Sequence, residues 1–278
     1  MKNTGKFILG TLCALTLTAC GGKTDKGENT DTIAVSEPFE ARTGETKIEI
    51  KEGITPLVFV PVKGGTFEMG LADGQKHNDD ISEAPAHKVT LSDYQICKIE
   101  VTQDQWETVM GKNPAQQNDD PQKPVENVSW NDTQAFVAKL SEMTGHKFRL
   151  PTEAEWEFAA RGGVESKGTI YAGSDNPEDV LNSFEYGHGK TWVVGQIGAN
   201  ELGLFDMNGN VAEWVQDFYA DYTAEEQTDP KGPATGEYHV YRGGHCNKNA
   251  NECTVTIRMK FAPVMPAPSI GLRLVLVE

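Results

Sequence analysis

The sequence predicts an α+β domain, on two observations: short β-branched apolar runs closed by Gly, Asn and Pro turns, and three helices that each begin with a capping signal. In order, Leu57 to Val62 is apolar, Lys63-Gly64-Gly65 makes a turn and Thr66 to Gly70 alternates, which predicts a hairpin. His87 to Val101 predicts a strand with a change of phase near Asp93, the mark of a bulge or bend. Thr102 caps a helix over Gln103 to Met110, with Gln105 completing a capping box. Ser129 caps a second over Trp130 to Thr144, where Phe136, Leu140 and Met143 recur on one face and Gly145 stops it. Thr152 and Glu155 box a third over Ala154 to Arg161, ended by Gly162-Gly163. Beyond residue 165 the pattern breaks into short strands and long irregular stretches, of a length usually functional or pinned by ions.

A chain of 278 residues is long enough for a sizeable core, since domains near this size bury about 70% of their unfolded surface. Its 41 acids outnumber 25 bases, a net charge of −16 with no basic cluster, which is the wrong sign for gripping a phosphate backbone. Nucleic acid is therefore excluded as an expected partner. No apolar run approaches the roughly 20 residues that a helix needs to cross a bilayer.

The N-terminus is read as a targeting segment. Residues 1–19 carry Lys2 and Lys6, then an apolar run from Phe7 to Leu17, then small residues, as in a secretory signal peptide. Leu17-Thr18-Ala19-Cys20 resembles the bacterial lipobox, which implies lipidation of Cys20 and a membrane-anchored lipoprotein of the bacterial cell envelope, facing periplasm or cell surface. The alternative is an ordinary signal peptide with an incidental cysteine. Cleavage before Cys20 removes Lys2 and Lys6 and takes the formal charge from −16 to −18. Residues 20–54 are polar and acidic without period and are assigned to a flexible linker, which leaves 55–278 as the domain. Lipidation would leave three thiols, Cys97, Cys246 and Cys253, in a compartment that permits disulfides, and a turn over Asn247 to Asn251 could bring the last two together.

Four segments carry a family resemblance: Phe59-Val60-Pro61-Val62-Lys63-Gly64-Gly65-Thr66-Phe67-Glu68-Met69-Gly70, Lys98-Ile99-Glu100-Val101-Thr102, Arg149-Leu150-Pro151-Thr152-Glu153-Ala154-Glu155-Trp156-Glu157, and Gly203-Leu204-Phe205-Asp206-Met207-Asn208-Gly209-Asn210-Val211-Ala212-Glu213-Trp214. Arg242-Gly243-Gly244 and Gly271-Leu272-Arg273-Leu274 close the set. Together they resemble the sulfatase-modifying-factor, or formylglycine-generating-enzyme, domain, a relative of the C-type lectin fold. The resemblance implies a single domain with much irregular structure.

It also implies calcium, held by the side chain of Asp206, the carbonyls of Gly209 and Val211, and Glu213. Calcium takes six to eight hard oxygen ligands, and a tight Asn/Gly loop can aim carbonyls inward. The alternative is a Gly/Asn turn whose acids face water. An EF-hand fits less well, because a loop starting at Asp206 would have Val211 where the sharp turn needs glycine. The family's other calcium site would begin near Asn182 and Ser183, but the stretch beyond lacks the acid expected there.

Catalytic members hold copper with cysteines at the fourth and ninth positions after Arg-Gly-Gly, and copper(I) favours such soft thiolates. Here the fourth position is Lys248 and the ninth is Cys253, while Cys246 stands at the second. Moving a ligand by two residues along a strand displaces it by about 6–7 Å, beyond any metal bond. His87, His188, His239 and His245 lack a His-x-x-x-His spacing, and no Gly-x-Ser-x-Gly or Walker pattern occurs. Of the five tryptophans, Trp192 is the one placed most readily in a surface groove.

Two function classes follow. The favoured one is a lipid-anchored, non-catalytic binding or assembly module whose partner is an envelope protein, a peptide or a carbohydrate. The other is an active formylglycine-generating oxidase acting on a cysteine of exported sulfatase-like proteins, with copper at Cys253 and Cys246.

Overall fold

The computed structural model describes residues 39–71 and 82–277; the signal peptide, Cys20 and the first part of the linker lie outside them. Among the described residues, no helix is long and apolar enough to cross a membrane. Strand β1 (Thr46–Ile48) is followed by β2 (Leu57–Val62), β3 (Gly65–Met69), β4 (His87–Leu91) and β5 (Tyr94–Cys97). Helices α1 (Gln103–Met110) and α2 (Trp130–Thr144), strand β6 (Lys147–Arg149), helix α3 (Glu153–Ala160) and the short helix α4 (Phe184–Gly187) make the middle. The chain closes with β7 (Ala212–Phe218), β8 (Gln227–Thr228), β9 (His239–Arg242), β10 (Arg258–Phe261), β11 (Ile270–Leu272) and β12 (Val275–Val277). Three sheets result, ordered β1-β2-β5-β12-β6, β10-β9-β7-β11 and β3-β4-β8.

The hairpin expected at Lys63-Gly64-Gly65 does not form. β2 pairs with β5, Val60 opposite Ile96, while β3 pairs with β4, Phe67 opposite Val89. The two arms therefore bend together and carry one antiparallel pair from the first sheet into the third. Asp93 fixes the bend: its carboxylate accepts the Gly64 N–H at 2.8 Å and pairs with Lys63 at 3.0 Å. A Cβ on Gly64 would come within 2.3 Å of the Leu91 carbonyl oxygen, so only glycine lets the arms cross there. The bend expected near Asp93 is present.

All three capping boxes form, with Thr102, Ser129 and Thr152 as caps and Gln105, Asp132 and Glu155 reaching back. Trp106 of α1 stacks on Phe136 of α2 at 4.8 Å, which docks the two helices. Met143, expected on the buried face of α2 with Phe136 and Leu140, is 50% exposed; it lies in the last turn of the helix, beyond the buried pair. The linker also needs correcting. Thr46–Ile48 form the edge strand of the first sheet, Ile48 is buried and Lys98 pairs with Glu45 at 3.1 Å, so the folded body begins before residue 55.

Three arginines, Arg242, Arg258 and Arg273, are among the most deeply buried large side chains. Each is ion-paired: Arg242 with Glu153 and Glu157, Arg258 with Glu153, Arg273 with Glu213. They tie α3, β9, β10 and the segment after β11 to the centre.

Candidate functional site

The loop from residue 206 to residue 213 enters β7 through an unusual run of backbone. Asp206, Gly209 and Asn210 all have positive φ, between 53° and 77°. Gly209 lies against residue 182, where a Cβ would come within 2.1 Å of the Asn182 carbonyl oxygen. Asn210 knits the loop to its surroundings: its amide donates to Glu100 at 2.6 Å and its oxygen accepts from the Trp192 N–H at 2.9 Å and from Asn182 at 3.1 Å. The Val211 N–H donates to the other oxygen of Glu100. Asn208 accepts the Ala172 N–H at 2.6 Å.

Of the expected calcium donors, Asp206 and Glu213 are both buried. Asp206 accepts the Gly195 N–H at 2.6 Å. Glu213 is committed differently: Arg273 donates to both its oxygens at 2.8–3.1 Å, and the Trp156 indole donates to Oε2 at 2.7 Å. Glu100, Asp206 and Glu213 thus share one buried cation, Arg273. Burial pushes Asp206 up to about 6, and burial with the charges of Asp206 and Glu213 pushes Glu100 well above the carboxylate range. The surplus of buried acid fits a hard cation at Asp206 and the loop carbonyls. Glu213 does not fit as it stands, since reaching a cation requires giving up part of its pairing with Arg273. Beside the loop, Asn182 is 1% exposed and its Oδ1 has no hydrogen-bond partner, an orphaned acceptor where the family's other calcium site would begin.

The cysteine segment is arranged otherwise. Among the described residues Cys97, Cys246 and Cys253 are free thiols, so the bridge between Cys246 and Cys253 is not made. Cys253 packs with Tyr171, Val180 and Leu181 and beneath Gly244, where a Cβ would meet its sulfur at 2.5 Å. Cys246 faces Gln117 and the acids Glu100 and Glu126. Burial pushes Cys246 up to about 11 and Cys253 up to about 12. Cys246 and Cys253 stand in different surroundings, an arrangement that does not fit copper(I), which wants paired thiolates. Lys248 stands at the missing cysteine position and pairs with Glu252 at 2.7 Å. Burial and the Lys248 charge depress His245 to about 4, leaving it neutral at physiological pH. Among the described residues no three His, Cys, Asp or Glu side chains converge as a metal site.

Glu100, Asn210 and Arg273 were not singled out as site residues from the sequence. All three lie inside the quoted family motifs, a signal that could have found them. Trp192 is half-buried beside the loop, its backbone held by Asn210.

Sheets of this order around a loop so built define a formylglycine-generating-enzyme-type domain of the C-type-lectin-like kind. The chain belongs to the family described as the sulfatase-modifying factor enzyme 1-like domain, which matches residues 48–277. It is 30% identical to the chaperone protein LppX of Paenibacillus barcinonensis, over 78% of this chain and 88% of that protein. It is 27% identical to the formylglycine-generating enzyme of Bos taurus, over 78% of this chain and 74% of that one. Among solved structures it is similar to the Treponema denticola variable protein 1, with a TM-score of 0.76 and 28% identity, over 84% of this chain and 99% of that one.

Proposed function

We propose that this protein is a non-catalytic member of its family, a binding or assembly module held at the bacterial cell envelope by lipid on Cys20. The observation that carries the reading is the cysteine segment: Lys248 stands where one copper ligand would be and is ion-paired with Glu252, and Cys246 and Cys253 are buried in different surroundings. The relative named as a chaperone supports an assembly role, with an envelope protein, peptide or carbohydrate as partner. Calcium is proposed as the structural ion of the 206–213 loop, on Asp206 and the carbonyls of Gly209 and Val211, with Glu213 as the further donor if Arg273 releases it. Acidic surplus at Glu100, Asp206 and Glu213 supports this.

The second reading, a formylglycine-generating oxidase acting on exported sulfatase-like proteins, rests on the Bos taurus relative and on Cys253 at the expected position. Copper(I) titration of the purified protein, with mass spectrometry of a cysteine-containing sulfatase peptide, separates the two. The proposal expects no stoichiometric copper and an unchanged peptide. Copper bound through both thiols together with formylglycine in the peptide would overturn it.

A further inference from the structure

A cavity of about 350 Å³ opens beside α3 and the start of the segment after β7, away from both the 206–213 loop and Cys253. Its volume lies in the range of small-ligand pockets. Almost every polar group of its inner wall is already spent. Glu153 accepts from Tyr222, Arg242 and Arg258. Arg258 donates to both Glu153 oxygens and to the carbonyls of Ser82 and Ala220, and its guanidinium lies 3.9 Å from the Tyr222 ring centroid. Four of the five N–H groups of Arg258 are thus committed and its charge is already paired with Glu153, which leaves little to draw an anion.

Asp217 is different. It is 4% exposed, and its Oδ2 accepts the Glu153 N–H at 2.9 Å, while no hydrogen bond reaches Oδ1 from any described residue. Oδ1 lies beside Gly232, where a Cβ would come within 3.1 Å of it, so the glycine keeps that side of the carboxylate clear. Around it Met69, Ala154, Phe218, Pro230 and Pro233 give the cavity an apolar lining, suited to methylenes. At the exposed rim, Asp221 and Lys231 offset one another in formal charge.

We propose that this cavity binds an alkylammonium group, carried by a lysine side chain or a free amine, with Asp217 as the counter-ion and the apolar lining around the alkyl chain. The inference is independent of the copper and calcium questions. The groups that bear on Asp217 are Glu153 and Glu155 from α3 and Arg258 from β10, with Tyr222 and His87 in the cavity wall. Burial first, then the Glu153 charge, pushes Asp217 up to about 8. Below that pH the empty site holds a proton that an ammonium must displace, so affinity rises with pH. From pH 6 to pH 8 the ionised fraction grows about fifty-fold, and the binding constant with it.

The test titrates the full chain with Nα-acetyl-lysine methylamide, with n-butylamine and with the norleucine analogue, by calorimetry in buffers of different ionisation enthalpy. Expected are release of close to one proton at pH 6 to 7, an affinity rising about fifty-fold from pH 6 to pH 8, and at least tenfold weaker binding of the uncharged norleucine compound. Asp217→Asn keeps an acceptor for the Glu153 N–H and should lose at least tenfold. Should that variant fail to fold, the proton count and pH profile of the unmutated protein decide. Binding of butylamine as tight as that of the lysine derivative points to a free amine, and selective binding of the derivative to a peptide. Equal affinity for norleucine, a flat pH profile, or no binding at millimolar ligand would overturn the proposal.

Discussion

At Cys253 the sulfur fills the space that a side chain on Gly244 would occupy, and the same burial that seals it also holds its proton. In the unfolded chain a thiol ionises near 8.5, whereas the folded protein keeps the protons of Cys246 and Cys253 to about 11 and about 12. Between these values the unfolded state binds fewer protons, so their contribution is complete below about pH 8.5 and is lost as pH rises towards the folded values. Urea unfolding from pH 8 to pH 11 should therefore show a falling midpoint, with a shallower fall in Cys253→Ala than in the unmutated protein. Parallel slopes would mean the thiol is not held neutral. At Asp206 the argument concerns charge. Asp206→Asn keeps an acceptor for the Gly195 N–H and sheds one of the buried negative charges around Arg273. Calcium should raise the melting temperature of the unmutated protein and not that of the variant, and in chelator the variant should melt no lower. A melting temperature of the unmutated protein indifferent to both calcium and chelator would remove the ion from the loop.

Elements with local signals were legible in the sequence, and elements defined by distant partners were not. Thr102, Ser129 and Thr152 mark helix starts because a cap and its box partner lie three residues apart. Lys63-Gly64-Gly65 also reads as a local turn, but its geometry is set by Asp93, some thirty residues on, which turns a hairpin into a bend between sheets. In the same way Asp206, Gly209 and Glu213 were visible as a motif, whereas the Glu213–Arg273 pair spans 60 residues and the Asn210–Glu100 bond spans 110. Gly64→Ala should destabilise by about 1–3 kcal/mol, since the new methyl group meets backbone that cannot move aside. Gly145→Ala, at a helix end where no atom lies within 4 Å, should cost only about 1 kcal/mol for its positive φ. Urea midpoints of the two variants compare them directly, and equal losses would show that the crossing at Gly64 is not tight.

Over the whole molecule, buried ion pairs join segments that hydrophobic contact alone leaves in two main clusters. Arg242 pairs with Glu153 and Glu157 of α3 and donates to the carbonyls of residues 255 and 256. Without Arg242, Glu153 keeps Arg258 and Glu157 keeps Arg161, but Glu157 Oε2 and the carbonyls of residues 255 and 256 lose their buried donor. Arg242→Met should therefore cost about 3 kcal/mol, more than removal of a rim charge such as Lys231, as urea midpoints of the two variants would show. Acidity on the same scale bears on where the protein acts. At −18 after cleavage, the mature chain would be repelled by an anionic membrane surface, so the proposed attachment has to come from acyl chains. One chain holds a protein weakly and two or more hold it firmly. Expressed with residues 1–19 intact, the protein should fractionate with membranes and incorporate labelled palmitate, and Cys20→Ala should abolish the label and release the protein or leave it mislocalised. The isolated variant should melt at the same temperature as the unmutated protein in detergent, because Cys20 lies 26 residues before the first strand, Thr46–Ile48. Equal membrane recovery for Cys20→Ala would end the lipoprotein reading and leave residues 1–19 as an ordinary signal peptide.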